Sequence, residues 1–234
     1  MDAHTRTVMI TGAAGNLGRC VTRSFLAGGA NLVLVDLQRT SLENAFGAED
    51  ERRLFAPTNL LEQEQVNGAV TAAIERYGRI DVLCNLAGGF RMGEAVHETA
   101  DQNWDFLFDI NGRTLLHAVR AVAPRMIESG GGKIVNVGAF SARKGLARMG
   151  AYCAAKGAVI RLTEAMAAEL REKNINVNCV LPTIIDTPEN RAAMPDADPS
   201  RWVAPEDLAN AIAFLASDGA RAIHGAALPV TALS

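Results

Sequence analysis

Short runs rich in β-branched residues, "TVMIT", "NLVLVD", "RRLFA", "IDVLCN", "GKIVNV" and "NINVNCVL", with "AALPV" near the end, alternate along this chain with longer stretches of helical period. This rhythm constrains the fold more than any other feature. Strands separated by helix-length segments pair in parallel, because a parallel neighbour needs a crossover of a dozen residues or more. Crossover helices then cover both faces of the sheet, which is why the runs are apolar throughout rather than alternating. The sequence predicts a Rossmann-type α/β fold, a doubly wound parallel sheet of seven strands, as one domain over residues 1–234. Helices are predicted at about 16–28, 62–77, 101–129, 150–173 and 205–217. Residues 182–202, "PTIIDTPENRAAMPDADPSRW", form the one long segment without a clear period, and they are expected to make a functional substrate loop.

Composition narrows the function. Hydrophobic residues make up 49% of the 234, enough for a core. The 23 basic and 26 acidic side chains leave a net charge of −3 without long like-charge runs, so no electrostatic track for nucleic acid is expected and a small-molecule partner is. No window is apolar enough to span a membrane, and "MDAHTRTVMI" lacks the pattern of a secretory signal, so a cytoplasmic location is expected. Cys20, Cys84, Cys153 and Cys179 are widely separated with no CxxC. They read as reduced core thiols rather than disulfide or zinc ligands, with Cys153, beside Tyr152, a candidate for accessibility. His4, His97, His117 and His224 have no metal spacing, so no metal is expected. Trp104 is expected to pack an apolar face.

"VMITGAAGNLGRCV" is a strand, a glycine-rich turn and a helix start, with Gly12, Gly15 and Gly18 at three-residue spacing. Glycines there allow a tight turn and let backbone approach a pyrophosphate, whose charge the helix N-terminus stabilises. The second strand ends at Asp36, 18 residues beyond Gly18. A carboxylate there accepts hydrogen bonds from ribose hydroxyls and repels a 2′-phosphate, so NAD(H) is expected over NADP(H), a preference that nearby Arg39 could soften. Further along, "YCAAK" sets Tyr152 and Lys156 four residues apart, on one face of a helix. A tyrosine starting near pKa ~10 needs a downward shift of ~3 units to exchange protons near neutrality, and a neighbouring ammonium acts in that direction.

The segments "TGAAGNLG", "VLCNLAGG", "DINGRTLLHAVRAVAPRM", "GKIVNV", "YCAAK" and "VNCVLPTIIDT" together resemble the short-chain dehydrogenase/reductase family over nearly the whole chain. The resemblance implies a phosphate turn at Gly12, Gly15, Asn16, Leu17 and Gly18. Asp36 and Leu37 would lie at the ribose, Asn59 and Leu60 would border the cofactor, and Asn85, Ala87 and Gly88 would lie under the adenosine. Pro182, Ile185 and Thr187 would lie beside the nicotinamide. Tyr152 becomes the catalytic acid/base, Lys156 its activator and a ribose contact, and Asn111 the anchor of a relay water, though "DING" also reads as a break capped by asparagine. Asn190, Met194 and Trp202 are candidate substrate contacts on the loop. A homodimer or homotetramer is implied.

The chain departs from that pattern at Asn16, Leu86 and Thr183, and chemically at Ala139, which stands where the family has its substrate-polarising serine. Losing such a donor typically lowers the rate by ~10² to 10³. Ser141 could replace it if the loop bends back, the site could be inactive, or the substrate could need little polarisation. "LPTIIDTPENRAAMPDAD" and the serine-free "GAFSARKGLARMGAY" resemble the quinonoid dihydropteridine reductase branch of the same family, whose conjugated imine accepts hydride readily. The expected function is hydride transfer between NAD(H) and a small carbonyl, alcohol or conjugated imine. The alternative from another class is a nicotinamide-binding sensor or assembly protein without turnover.

Overall fold

The computed structural model describes residues 5–234, so His4 lies outside the described residues. Seven strands among them, β1 (Thr7–Thr11), β2 (Asn31–Asp36), β3 (Arg53–Pro57), β4 (Val82–Asn85), β5 (Gly132–Val137), β6 (Ile175–Pro182) and β7 (Ala227–Val230), form one all-parallel sheet. Their order is β3-β2-β1-β4-β5-β6-β7. The chain therefore winds outward in one direction from β1 and in the other from β4, and a crevice opens at the carboxyl ends of those two strands.

The helices are α1 (Asn16–Ala27), α2 (Arg39–Phe46), α3 (Gln63–Tyr77), α4 (Asp101–Phe108), α5 (Thr114–Glu128), α6 (Gly150–Leu170), α7 (Pro188–Ala193) and α8 (Pro205–Leu215). Side chains alternate across the sheet with the strand period of two. Met9, Val33, Leu83 and Ile134 face one core with Val66 of α3, Val122 of α5 and Val159 of α6. Val8, Ile10, Leu34 and Val135 face the other with Val21 of α1, Leu42 of α2 and Ile212 of α8. Every residue of β1 and β6 is buried, as a sheet covered on both sides requires.

Several expectations need correction. Helix α2 was not expected, because Leu42 is its one buried residue and so short a segment shows no period. The single helix expected over 101–129 contains a π-helical turn at Asp109–Arg113 between α4 and α5. Residues 182–202 are not irregular throughout, since α7 and a 3₁₀ turn at Pro199–Arg201 fall within them. Trp104 packs against an apolar face as expected, stacked on Phe108, but it stays 44% exposed. All four cysteines are free and buried, so Cys153 is not accessible.

Candidate active site

The dinucleotide side of the crevice is made of backbone. Gly12 follows β1 at φ +65°, and a Cβ there would stand 3.0 Å from the Ala87 Cα and N. At Gly18 a Cβ would stand 2.3 Å from the Gly12 carbonyl oxygen and 2.5 Å from that of Ala13, so α1 packs onto the turn through this glycine. Gly15 is less constrained, with φ −71° and an ordinary 3.4 Å approach to the Gly12 oxygen. The hydroxyl of Thr11 accepts the N–H groups of Leu86 (3.1 Å) and Ala87 (3.2 Å), binding the loop after β4 to the loop after β1. Asp36 accepts the Ala14 N–H (3.0 Å) on one oxygen and the Leu37 N–H (2.8 Å) on the other.

These groups border a cleft of about 510 Å³ that Gly12, Gly15, Asn16, Leu17, Gly18 and Asp36 help to line, along with Ala87 and Gly88. Helix α1 has no acidic residue of its own in its first turn, and its N-terminal end borders the cleft. Residues of this kind fit a pyrophosphate-bearing dinucleotide: a glycine cradle, a helix N-terminus and a carboxylate at the end of β2. Arg19, Ser41 and Asn44 also line it and were missed in the sequence. The arginine is held there by a 2.8 Å bond from Nε to the Ala14 carbonyl, whereas Ser41 and Asn44 come with the unforeseen α2. Arg39 turns elsewhere, paired with Glu43 and Glu49 at 3.0 Å each.

Other expected cofactor contacts have local roles. Asn85 is buried and donates to Asn136 (2.9 Å), which donates to Thr163 (2.9 Å), tying β4, β5 and α6 together beneath the crevice. Asn59 accepts the Leu61 N–H in its own loop, and Leu60 is buried in the core. Leu37 is exposed, and only its N–H reaches Asp36.

Tyr152 and Lys156 occupy the first two turns of α6. The Lys156 Nζ donates to the Val137 carbonyl at the end of β5 (2.8 Å), and Phe90 meets the Tyr152 ring edge-on at 4.8 Å. Asn111, in the π-helical turn, holds both sides of one residue: its Oδ1 accepts the Gly89 N–H (3.1 Å) and its Nδ2 donates to the Gly89 carbonyl (3.0 Å) and to that of Leu107 (2.9 Å). These groups converge on Gly88, where a Cβ would stand 2.9 Å from the Asn111 Oδ1 and 3.1 Å from the Lys156 Nζ.

The electrostatics differ from the sequence expectation. Burial pushes the Tyr152 phenol up to about 12, with a smaller contribution from neighbouring Cys153, and pushes the Lys156 ammonium down to about 8. Desolvation penalises both charged forms and outweighs any pull of the ammonium on the phenol.

Ala139, 4% exposed, ends the extended run of β5. The next residues, Phe140–Arg143, form a 3₁₀ turn closed by the bond from the Ala142 N–H to the Ala139 carbonyl (3.1 Å). The chain therefore bends back, and the Ser141 carbonyl accepts the Cys153 thiol at 3.5 Å, one residue from Tyr152. At Gly138 a Cβ would stand 2.6 Å from the Leu181 Cδ2, the end of a side chain that would have to shift to admit it. Thr183 uses its hydroxyl on the C-terminal segment, at 3.2 Å from the Thr231 carbonyl and 2.6 Å from Ser234.

In the substrate loop, Pro182 ends β6 and Ile185 bridges to Val203. Thr187 caps α7 by accepting the Asn190 N–H (3.2 Å), and the Asn190 side chain donates to the Ile185 carbonyl (2.8 Å). Asn190 is thus committed to its own loop and Trp202, 6% exposed, to the interior; neither presents its side chain to the cleft as expected. Met194 is half-buried at the end of α7. One contact joins this loop to the phosphate turn: the Asn16 Nδ2 donates to the Glu189 Oε2 at 2.7 Å. Beside Tyr152 a second cavity of about 180 Å³ is lined by Arg91, Met92, Glu94, Asn103 and Arg148 among others, none of them foreseen.

The family described as short chain dehydrogenase matches residues 6–198. D-threitol dehydrogenase of Mycolicibacterium smegmatis is 32% identical over 238 residues, which cover 96% of this chain and 91% of that one. The structure of carveol dehydrogenase from Mycobacterium avium in complex with NAD aligns with a TM-score of 0.89 at 29% identity, covering 98% of this chain and 97% of that one. ElxO with NADP bound aligns with a TM-score of 0.88 over 97% of each chain; at 24% identity that likeness bears on the fold alone.

Proposed function

The chain belongs to the short-chain dehydrogenase/reductase family, and from that premise we propose that it is an NAD(H)-dependent oxidoreductase acting on a small carbonyl, alcohol or conjugated imine. The observation that carries this reading is the convergence at Gly88, where the loop lining the dinucleotide cleft meets both Asn111 and Lys156. The glycine turn, the α1 N-terminus and Asp36 would hold the cofactor, and Lys156 would contact its ribose. When bound, the nicotinamide supplies or accepts the hydride. Asp36 at the ribose, with Arg39 neutralised by Glu43 and Glu49, supports NAD(H) over NADP(H).

Tyr152 holds the proton. Kept neutral by burial, its phenol is protonated near neutral pH and can serve as a general acid. Lys156, fixed on the Val137 carbonyl, carries positive charge below about pH 8 and stabilises negative charge developing at the reacting oxygen. Asn111 immobilises the Gly88–Gly89 segment and so sets one wall of the site. Ala139 offers no hydroxyl, which suits a substrate that needs little polarisation, and the dihydropteridine reductase-like chemistry is the alternative within this class. Exposed Trp104, Leu116 and Ile127 on α4 and α5 support the reading of a homodimer or homotetramer.

The test is NADH oxidation with a quinonoid dihydropterin and a panel of ketones, comparing the natural chain with Tyr152→Phe. Turnover that falls ~10² to 10⁴-fold in the variant, with NADH affinity kept, is the expected result. Tight NADH binding without turnover on any substrate would favour a sensor, the reading that Ala139 supports. NADPH binding more tightly than NADH would overturn the role given to Asp36.

A further inference from the structure

The cavity beside Tyr152 is lined by two arginines, Arg91 and Arg148. The protein carries a net charge of −3, yet between Glu128 and Glu164 it has six basic side chains and no acidic one. Three of the six, Arg143, Lys144 and Arg148, lie on the loop that leads into α6 and Tyr152, and all three are exposed. Arg91 reaches the same cavity from the loop after β4. Within the lining itself the cations are Arg91 and Arg148, and a guanidinium at a cavity wall draws anions to it.

Two of these cations are held in position. The Arg91 guanidinium lies 3.8 Å from the centroid of the Phe106 ring and donates to the Asn103 Oδ1 at 2.6 Å. Arg148 has φ +61°, a left-handed conformation that disfavours a side-chain-bearing residue by ~1 kcal/mol or more. It is kept there by a double link to Gly93: the Gly93 N–H donates to the Arg148 carbonyl (2.8 Å), and the Arg148 Nη1 donates to the Gly93 carbonyl (3.2 Å). Gly93 itself sits at φ +126°, so the two loops are clasped by a pair of unusual backbone conformations. Neither arginine forms an ion pair with a carboxylate among the described residues.

One acid lines the cavity, Glu94, and α4 uses both of its oxygens. Its Oε1 accepts the Asn103 Nδ2 (2.6 Å) and its Oε2 the Ala100 N–H (3.2 Å), which caps that helix. Arg91 and Arg148 against Glu94 leave the lining with one net positive charge. Met92 and Met149 add adaptable apolar surface to the same lining.

We propose that this cavity selects substrates bearing a single anionic group such as a carboxylate, seated between Arg91 and Arg148 while the reacting carbonyl or hydroxyl lies at Tyr152. The inference rests on the oxidoreductase reading of the same site and names its substrate class: small oxo acids and the corresponding hydroxy acids. The carboxylate is unchanged in the reaction. In reduction, the carbonyl carbon gains the hydride and its oxygen gains the proton of Tyr152; the anion only docks and orients. A guanidinium suits this task because it stays charged and offers a planar donor fork to a carboxylate.

The experiment compares pyruvate, acetoacetate and levulinate, each with its neutral methyl ester, on the full-length protein and on Arg91→Gln, Arg148→Gln and Arg148→Lys. NADH oxidation gives kcat and KM, and calorimetry in the presence of NAD+ gives binding where no turnover can occur. At least one acid is expected to bind tenfold or more tightly than its ester. Either Gln variant should raise the KM for the acid about tenfold, with kcat within a factor of three and the ester unaffected, while Arg148→Lys retains most of the preference. The preference should also weaken as salt is raised. Equal binding of acids and esters, or equal effects of the Gln variants on both, would overturn the anion site even if the enzyme is active. Absence of turnover together with an acid preference that Arg148→Gln abolishes would uphold the anion site and sink the oxidoreductase reading. Arg148→Asn, whose side chain tolerates the left-handed conformation, replaces Arg148→Gln if the latter fails to fold.

Discussion

The two sides of the crevice are built from different material. Toward β1, α1 and β2 the wall is main chain: Gly12 against Ala87, Gly18 against the carbonyls of Gly12 and Ala13, and the N–H of Ala14 on Asp36. Toward β5 and α6 it is side chains: Tyr152 against Phe90, Lys156 on the Val137 carbonyl, Arg91 and Arg148 around a smaller cavity. A clash between backbone atoms is relieved only by moving an element, whereas a side chain is exchanged without disturbing its support. The first side can therefore keep one ligand while the second changes substrate, and the chemical departure at Ala139 falls on the second side.

The strongest way to break this contrast is at Gly18. A methyl group there meets carbonyl oxygens at 2.3 and 2.5 Å, so Gly18→Ala should weaken NADH binding about a hundredfold in a fluorescence titration. Gly15→Ala, with its 3.4 Å approach, should change it by less than about threefold. If both variants bind alike, the turn is softer than its contacts imply. Next in size is Ala139→Ser, which restores a donor on the side-chain wall. It should raise kcat for a simple ketone by about ten- to a hundredfold, and no gain would mean that the turn bearing Ser141 already supplies the hydrogen bond.

Lys156 gives a test in stability. Its ammonium is held near 8 in the folded protein against 10.5 when unfolded, so between those values the unfolded chain binds more protons and stability rises with pH. The destabilisation, of order 3 kcal/mol, is fully present below about pH 8 and disappears toward 10.5. Lys156→Met should melt higher than the natural chain at pH 7, and the gap should narrow as pH rises from 8 toward 10.5; a constant gap would show that the amine is not desolvated. Tyr152, raised to about 12, acts in the opposite sense only above its ordinary value of 10. The smallest effect belongs to the contact that joins the two sides. The Asn16 to Glu189 bond is exposed, so Glu189→Gln should alter NADH affinity by less than about threefold.

Much of the fold was legible because parallel strands advertise themselves as apolar runs, and all seven appear within a few residues of their expected places. Helix α2 was not, since one buried leucine makes no pattern. On the main-chain side of the site the glycines were legible for the reason that makes them irreplaceable. The side-chain wall was only partly so. Tyr152 and Lys156 are one turn apart and could be read together, but Arg91 and Arg148 are joined by tertiary structure alone. The proton affinities were misread for a similar reason: spacing suggests that a lysine lowers a tyrosine's pKa, while burial, which spacing does not reveal, pushes the other way.

The π-helical turn at Asp109–Arg113 bears on more than Asn111. Such a turn holds one residue beyond the regular repeat, which advances everything after it by about 100° around the axis. Leu115, Ala118, Val122 and Met126 of α5 meet the core with that advance in place. Removing a single residue from this turn would set the whole following helix out of phase, turning its apolar stripe toward water. The residue that anchors the Gly89 peptide and the phase of the helix behind it are thus one inheritance, and a lineage cannot lose the first by deletion without losing the second.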